Sequence, residues 1–428
     1  MPQTTIITNG RVIDPSQNLD RVTNLLIENG RITAYDLQPS GREKEIDAAG
    51  MIVAPGLVDL HVHLREPGGE DGETIASGTD AAINGGYTSI ACMPNTSPPT
   101  DTQAAVEYIK AQAARADRCN VYPVACISKN REGNELAEMG QLAAAGAVGF
   151  TDDGNCVANA ELMRRALEYA KMFDLPIMSH AEDAQLSLQG IMHESLTSVR
   201  LGLRGIPSAA EDVMTARDII LSDYTRGRLH FMHVSTRLSV DLIRMAKQRG
   251  VPVTAEVTPH HLTLTDELLE SYDTHLKMNP PLRGRRDVDA CIQGLLDGTL
   301  DCVATDHAPH AREKKEREID IAPFGVTGLE TALSVIATHL IQPGILTWPQ
   351  AIEKMSTNPA KIIGIPKGTL ALGADADVII IDPNHRWTVT PDEFRSQSIN
   401  SPYIGHELLG RVMVALVGGR VRLNRRAY

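Results

Sequence analysis

The 428-residue chain has no long hydrophobic run, no paired-cysteine pattern and no basic stripe, and each absence removes a class of function. No stretch approaches the roughly 18 consecutive apolar residues of a spanning helix, which argues against a membrane-embedded protein. Six cysteines (Cys92, Cys119, Cys126, Cys156, Cys291, Cys302) are scattered without a CxxC pair. That spacing offers neither a cysteine zinc module nor a compact disulfide framework, and leaves reduced core thiols. Lys and Arg number 41 against 54 Asp and Glu, a net charge of -13, with no basic cluster to offset it. Nucleic acid is therefore not an expected partner. The opening MPQTTIITNG lacks the basic flank and apolar stretch of a secretory leader, so a cytoplasmic location is expected. The acidic balance also means that an anionic substrate would need a local group of positive charges.

What is present is ordinary globular composition, 42% hydrophobic and 22% charged. Residues 1–53 hold short β-prone runs, TTIITNGRVID, NLLIENGRITAYD and EIDAAGMIVAP, with Asn-Gly as a turn signal. From there to residue 365 the texture changes. Apolar strand-like runs (GLVDLHVHL, YTSIACMPN, NVYPVACIS, AVGFTDD, PIMSHAE, LHFMHVS, VPVTAEVTP, LDCVATDHAP) alternate with helical patterns such as TQAAVEYIKAQAARA and LSVDLIRMAKQRG. Most of these helices place apolar residues on one face. Eight strands alternating with helices predict an α/β fold, a (β/α)₈ barrel over residues 54–365. Residues 366–428 return to β-like runs and are expected to complete the N-terminal module, so that the barrel is inserted in a small split β-domain.

Ligand-type residues collect near the C-terminal ends of the strand candidates, where barrel enzymes carry their sites. His61 and His63 close VDLHVHLRE, and residues two apart on a strand share a face, so both imidazoles can meet one metal. Asn95 follows the second strand, Asp152 and Asp153 end the fourth, His180 and His233 end later ones, and Asp306, His307 and His310 lie in ATDHAPH. A lone buried histidine is more often a hydrogen-bonded core residue. Six nitrogen and oxygen donors at the same end of successive strands point instead to an open, hydrolytic site with room for two metals. The adjacent carboxylates of GAVGFTDDG require a compensating cation if they are buried. Strand alternation sends them to opposite sides, so only one faces the centre.

The chain resembles the amidohydrolase superfamily, and within it the bacterial type I dihydroorotases. The resemblance rests on PGLVDLHVHLREPG, ACMPNT, GFTDDG, SHAED, HVST, TPHHL, KMNPPLR and ATDHAPH, in that order. It implies that His61, His63 and Asp306 bind one Zn²⁺, that His180 and His233 bind a second, and that Asp153 bridges both. Many relatives bridge with a carbamylated lysine. AVGFTDDG has none, and the aspartate is the usual state of type I dihydroorotases. The resemblance further implies a small anionic substrate touched by His63, Arg65, Asn95, Asn279, His310 and the backbone at Phe324 and Gly325. Arg65, two residues beyond His63, is expected on the same strand face, its forked cation suited to a carboxylate. Asn279 before Pro280 also reads as a turn residue.

The implied reaction is reversible hydrolysis of the cyclic amide of (S)-dihydroorotate to N-carbamoyl-L-aspartate in pyrimidine biosynthesis, with Asp306 as the catalytic proton shuttle. His260 and His261 match no ligand position and are read as structural. Asp152 and His307 are left with hydrogen-bonding roles behind the ligands. AREKKEREIDIAPFG, after His310, is read either as a solvated loop or as a lid. Two other functions stay open: another cyclic amidohydrolase, allantoinase- or hydantoinase-like, or a non-catalytic subunit scaffolding aspartate carbamoyltransferase. The surviving ligand set argues against the scaffold, although an active enzyme could still bind that transferase. A homodimer is the assembly the family implies.

Overall fold

The computed structural model describes residues 4–426. The N-terminal and C-terminal β-runs share one eight-stranded sheet. Its order is Arg420–Asn424, Glu407–Val417, Val378–Thr388, Ile52–Pro55, Thr4–Asp14, Leu19–Glu28 and Arg31–Tyr35, with Lys44–Asp47 also paired to Thr4–Asp14. The seam between the two ends is antiparallel, Val378 opposite Pro55 and Ile381 opposite Ile52. Ile7, Val12, Val53, Val378, Ile380 and Val414 pack together behind it. Tail strands dock because their alternate side chains complete this apolar layer.

The two Asn-Gly pairs behave differently. Asn29 (φ 50°) and Gly30 (φ 77°) form the two-residue loop between Leu19–Glu28 and Arg31–Tyr35, with both central residues left-handed. Asn9-Gly10, expected as a turn, lies inside a single strand. There the register with the partner slips between Ile7 and Gly10, and Asn9 is left-handed at φ 60°. The Asn24 side chain accepts from the Asn9 N–H at 3.0 Å, and a side chain at Gly10 would collide with Val53. A bulge absorbs the local signal without reversing the chain.

All eight strand candidates of the middle region pair in parallel. Leu57–Val62 pairs with Tyr87–Cys92, and that strand with Asn120–Pro123. Ile177–Ser179, Leu229–Phe231, Val253–Val257 and Cys302–Val303 form a second parallel series. Single parallel bridges connect the two: Ala125 to Phe150, Phe150 to Ile177, and Val62 to His307. The GFTDD strand is thus reduced to a few residues. Its ladder bonds run from Val148 N to Pro123 O (3.0 Å) through Thr151 N to Ala125 O (2.8 Å), and then the chain turns away.

Helices fill the intervals where apolar periodicity predicts them, among them Ile75–Gly85, Gln103–Ala116, Ala160–Ala170, Ala209–Thr225 and Arg237–Gln248. Thr74 caps the first, its side chain accepting from Ser77 N while Ser77 returns a bond to the Thr74 N–H. Gly86 ends it in the left-handed conformation. Among the described residues, no helix is long and apolar enough to cross a membrane.

Candidate metal centre and substrate cavity

Six side chains from five strand ends meet at one point: His61, His63, Asp153, His180, His233 and Asp306, all buried. Asp153 lies at the middle. Its Oδ1 is 3.5 Å from His61 Nε2, 3.5 Å from His180 Nδ1 and 3.8 Å from His233 Nε2, and its Oδ2 is 3.4 Å from His63 Nε2. Asp306 Oδ1 lies 3.1 Å from His63 Nε2 and 3.5 Å from His61 Nε2. The donor atoms of His61, His63 and Asp306, and those of His61, Asp153 and His233, fall within 4.8 Å of one another.

The spacings of 3.4 to 3.8 Å fit shared cations better than hydrogen bonds, while His63 Nε2 and Asp306 Oδ1, at 3.1 Å, are within hydrogen-bond reach. Two ligands each about 2.05 Å from one tetrahedral zinc lie about 3.3 Å apart. His61 Nε2 is buried and has no hydrogen-bond partner, which is costly unless something else occupies its lone pair. His63 gives a second argument. Its Nδ1 donates to Asn95 Oδ1 at 2.8 Å, and burial lowers its pKa, so the neutral ring turns an Nε2 lone pair toward two carboxylates. A cation makes that arrangement favourable. Burial would raise the pKa of Asp153, but the neighbouring imidazoles, His61 foremost, hold it well below the usual carboxylate range.

The backbone is strained where it presents these groups. His233 (φ 35°) and Asp306 (φ 47°) both adopt left-handed conformations that cost non-glycine residues of order 1–3 kcal/mol. Arg65 does so as well (φ 59°), which corrects the expectation that it extends the strand face of His63. The strand ends at Val62, and the left-handed turn at Arg65 is what directs its side chain. The guanidinium then donates from Nε to Pro309 O at 3.0 Å and places Nη2 3.3 Å from His310 Nε2.

Arg65, Asn95, Asn279, His310, Phe324 and Gly325 line the same cavity of about 220 Å³ as the histidine–aspartate cluster. Every residue expected to touch substrate is therefore brought together. Some are already engaged: Asn279 Nδ2 donates to Glu182 Oε2 at 2.6 Å, and His310 Nε2 donates to Phe324 O at 2.7 Å. Burial, reinforced by the Arg65 charge, lowers the His310 pKa to about 3.

A dihydro-orotase-like family model matches residues 50–239. The dihydroorotase of Syntrophus aciditrophicus is 52% identical over 420 residues, spanning 97% of this chain and 98% of that one. The dihydroorotase of Pelotomaculum thermopropionicum is 52% identical over 417 residues, 97% of each. The chain belongs to the dihydroorotase family. Among solved structures, an L-hydantoinase from Arthrobacter aurescens superposes with a TM-score of 0.89 at 27% identity, covering 99% of this chain and 97% of that one. A dihydropyrimidinase from Brevibacillus agri gives 0.86 at 25% identity, covering 100% and 96%.

Against this dihydroorotase frame, the buried groups that sequence reasoning left without a role, or missed, become legible. The Asp152 carboxylate accepts from Ile127 N (2.9 Å), Ser128 N (3.0 Å) and the Ser128 hydroxyl, on the side away from the cluster. His307 lies 3.3 Å through Nε2 from Glu73 Oε2 and accepts from Gly328 N at 3.2 Å, which ties strand end to helix. His261 is bonded to Thr258 Oγ1 (2.8 Å) and Pro280 O (3.0 Å), consistent with a structural role. Glu256 and Glu182 were missed. Glu182 Oε2 accepts from His180 Nε2 at 2.8 Å, which leaves Nδ1 facing His233 Nε2 at 2.9 Å and Asp153 Oδ1 at 3.5 Å. The signal for Glu256 was present in VPVTAEVTP: one acid in a buried, apolar strand must have a partner.

Proposed function

We propose that the chain is a zinc-dependent dihydroorotase, hydrolysing (S)-dihydroorotate reversibly to N-carbamoyl-L-aspartate. The observation that carries this reading is the shared cavity: a forked cation, Arg65, faces the same space as the carboxylate–imidazole cluster. An amide to be polarised and a carboxylate to be gripped are the two ends of that substrate. The hydantoinase-like alternative is disfavoured because the bridging position holds Asp153 and because the identity to dihydroorotases is about twice that to the hydantoinases.

The frame is read as a (β/α)₈ barrel of residues 54–365 inserted in a split β-domain of residues 1–53 and 366–428. Support for closure comes from the parallel bridge between Val62 and His307, and support for the split domain from the antiparallel seam at Ile52–Pro55. His61, His63 and Asp306 would hold one Zn²⁺, His180 and His233 the other, with Asp153 between them. When bound, such a pair supplies Lewis acidity and brings the pKa of water down to about 7.

The protein's own groups do the rest. Arg65 pairs with the substrate carboxylate, and Asn95 and His310 fix its orientation, so that the ring amide is delivered to the cluster. Asn279 and the backbone at Phe324 and Gly325 bound the ring. Burial would raise the Asp306 pKa, but the surrounding imidazoles outweigh it and hold it below the usual carboxylate range, so Asp306 enters as a carboxylate. It takes a proton from the attacking water as the C–O bond forms and delivers it to the ring nitrogen as the C–N bond breaks. In ring closure it returns that proton to the departing oxygen. The resemblance carries with it a cytoplasmic homodimer able to meet aspartate carbamoyltransferase.

Parallel assays with dihydroorotate, hydantoin and allantoin test the assignment. Dihydroorotate alone should turn over efficiently, and Arg65→Ala should raise its KM at least tenfold, with Arg65→Lys failing to restore it. Preference for hydantoin, or an unchanged KM in the Arg65 variants, would overturn it.

A further inference from the structure

Glu256 is a fully buried carboxylate near the end of the strand Val253–Val257, touching neither the cavity nor any group assigned to substrate. It collects three donors from two other strands. His61 Nδ1 approaches Oε1 at 2.9 Å, His230 Nε2 approaches Oε2 at 3.0 Å, and the His233 backbone N–H donates to Oε1 at 3.3 Å.

Two of these bonds reach residues of the metal centre. Accepting from Nδ1 fixes the His61 proton on that nitrogen and leaves the orphan Nε2 facing Asp153 and Asp306. Accepting from the His233 N–H satisfies a backbone donor at a residue held at φ 35°, a conformation the chain would otherwise leave. His230 serves the carboxylate. Its Nδ1 is 2.8 Å from Thr254 Oγ1, so the ring spans two side chains of the neighbouring strand.

We propose that Glu256 is the positioning residue of the metal centre: one buried carboxylate sets the tautomer of His61 and the backbone of His233, and so places one ligand from each metal of the pair. This rests on the two-metal reading above. It concerns no atom of the substrate, so it separates cation affinity from substrate binding.

The test uses the full chain loaded with Zn²⁺, and compares wild type, Glu256→Leu and Glu256→Gln by competition with a chelator. Wild type that holds no zinc would defeat the metal reading itself. With zinc held by wild type, Glu256→Leu should lose about 10- to 100-fold in zinc affinity. Glu256→Gln should recover part of it. The amide oxygen can still accept from His61, and His230 can move its proton to Nδ1 and accept from the amide nitrogen. The KM for dihydroorotate should stay within about twofold in Glu256→Gln, because Arg65 and Asn95 are untouched, while kcat at limiting zinc falls. If Glu256→Leu does not fold, the Glu256→Gln affinity decides alone. Zinc affinity equal to wild type in either folded variant would overturn the proposal.

Discussion

At the residue scale, the site is a set of choices about which nitrogen or oxygen faces inward. Asp152 and Asp153 illustrate it: adjacent and both buried, they are compensated in different ways. Asp152 turns to two backbone N–H groups and a serine, whereas Asp153 is left among four imidazoles. Asp306 is the residue on which turnover should depend. Asp306→Asn preserves shape and one oxygen facing the histidine cluster but cannot carry the proton. Activity should fall by at least about 100-fold while the zinc content, by atomic absorption, stays near that of wild type. Near-normal turnover would remove Asp306 from the mechanism. The residues of the cluster were legible in the sequence because they are polar side chains at the ends of apolar β-runs. Arg65 was legible as a cation but not as a left-handed turn, since nothing in HLREPG distinguishes one more strand residue from a reversal. Glu256 was not recognised because it matches no ligand position, and although its apolar strand implied a partner, only the packing of three strands shows which partners it has.

At the element scale, the charged segment after His310 resolves into something other than a freely solvated loop. Arg312–Lys315 is a short helix, and Lys315 is buried, its ammonium donating to Lys277 O at 3.0 Å and Pro323 O at 2.8 Å. Lys277 reciprocates, donating to Ile319 O at 2.6 Å, and its ammonium sits 4.6 Å from the centre of the Phe324 ring. Two buried lysines therefore fasten the stretch that carries Phe324 and Gly325 into the cavity. Burial, with the Lys277 charge beside it, lowers the Lys315 pKa to about 7. The unfolded chain, with an ordinary lysine near 10.4, then binds the extra proton between those values, so stability rises with pH across that window. Below about pH 7 both states are protonated and the dependence disappears. Relative to Lys315→Met, the unfolding free energy of wild type should climb by about 1 kcal/mol per pH unit from pH 7 to 9 in urea titrations. Parallel curves for the two proteins would show that Lys315 is not held in this way. The sequence offered this stretch only as a dense run of charge. An aliphatic stem that buries and a head that caps carbonyls cannot be told from a solvated lysine without the surrounding chain.

At the scale of the whole molecule, alternation carried the prediction far. The eight parallel segments appear where apolar runs end in polar residues, and the tail strands return to the N-terminal sheet. Register-level detail was less accessible. Asn9-Gly10 and Asn29-Gly30 have the same two residues, and the pairing of whole strands decides which becomes a bulge and which a hairpin. The fourth strand shortened to a few residues because two buried carboxylates follow it and each needs its own partners. The net charge of -13 frames the proposed chemistry as well: an anionic substrate would need a local cation, and Arg65 is the one that lines the cavity. We propose that this cluster is a catalytic zinc centre acting on dihydroorotate. The most direct test of that assignment is to strip the isolated chain with a chelator, add Zn²⁺ stepwise, and follow dihydroorotate hydrolysis together with bound metal. Activity should vanish on stripping and return in proportion to zinc, levelling off at two ions per chain. Hydrolysis that persists after the metal is gone, or a chain that binds two zincs and leaves dihydroorotate untouched, would contradict it.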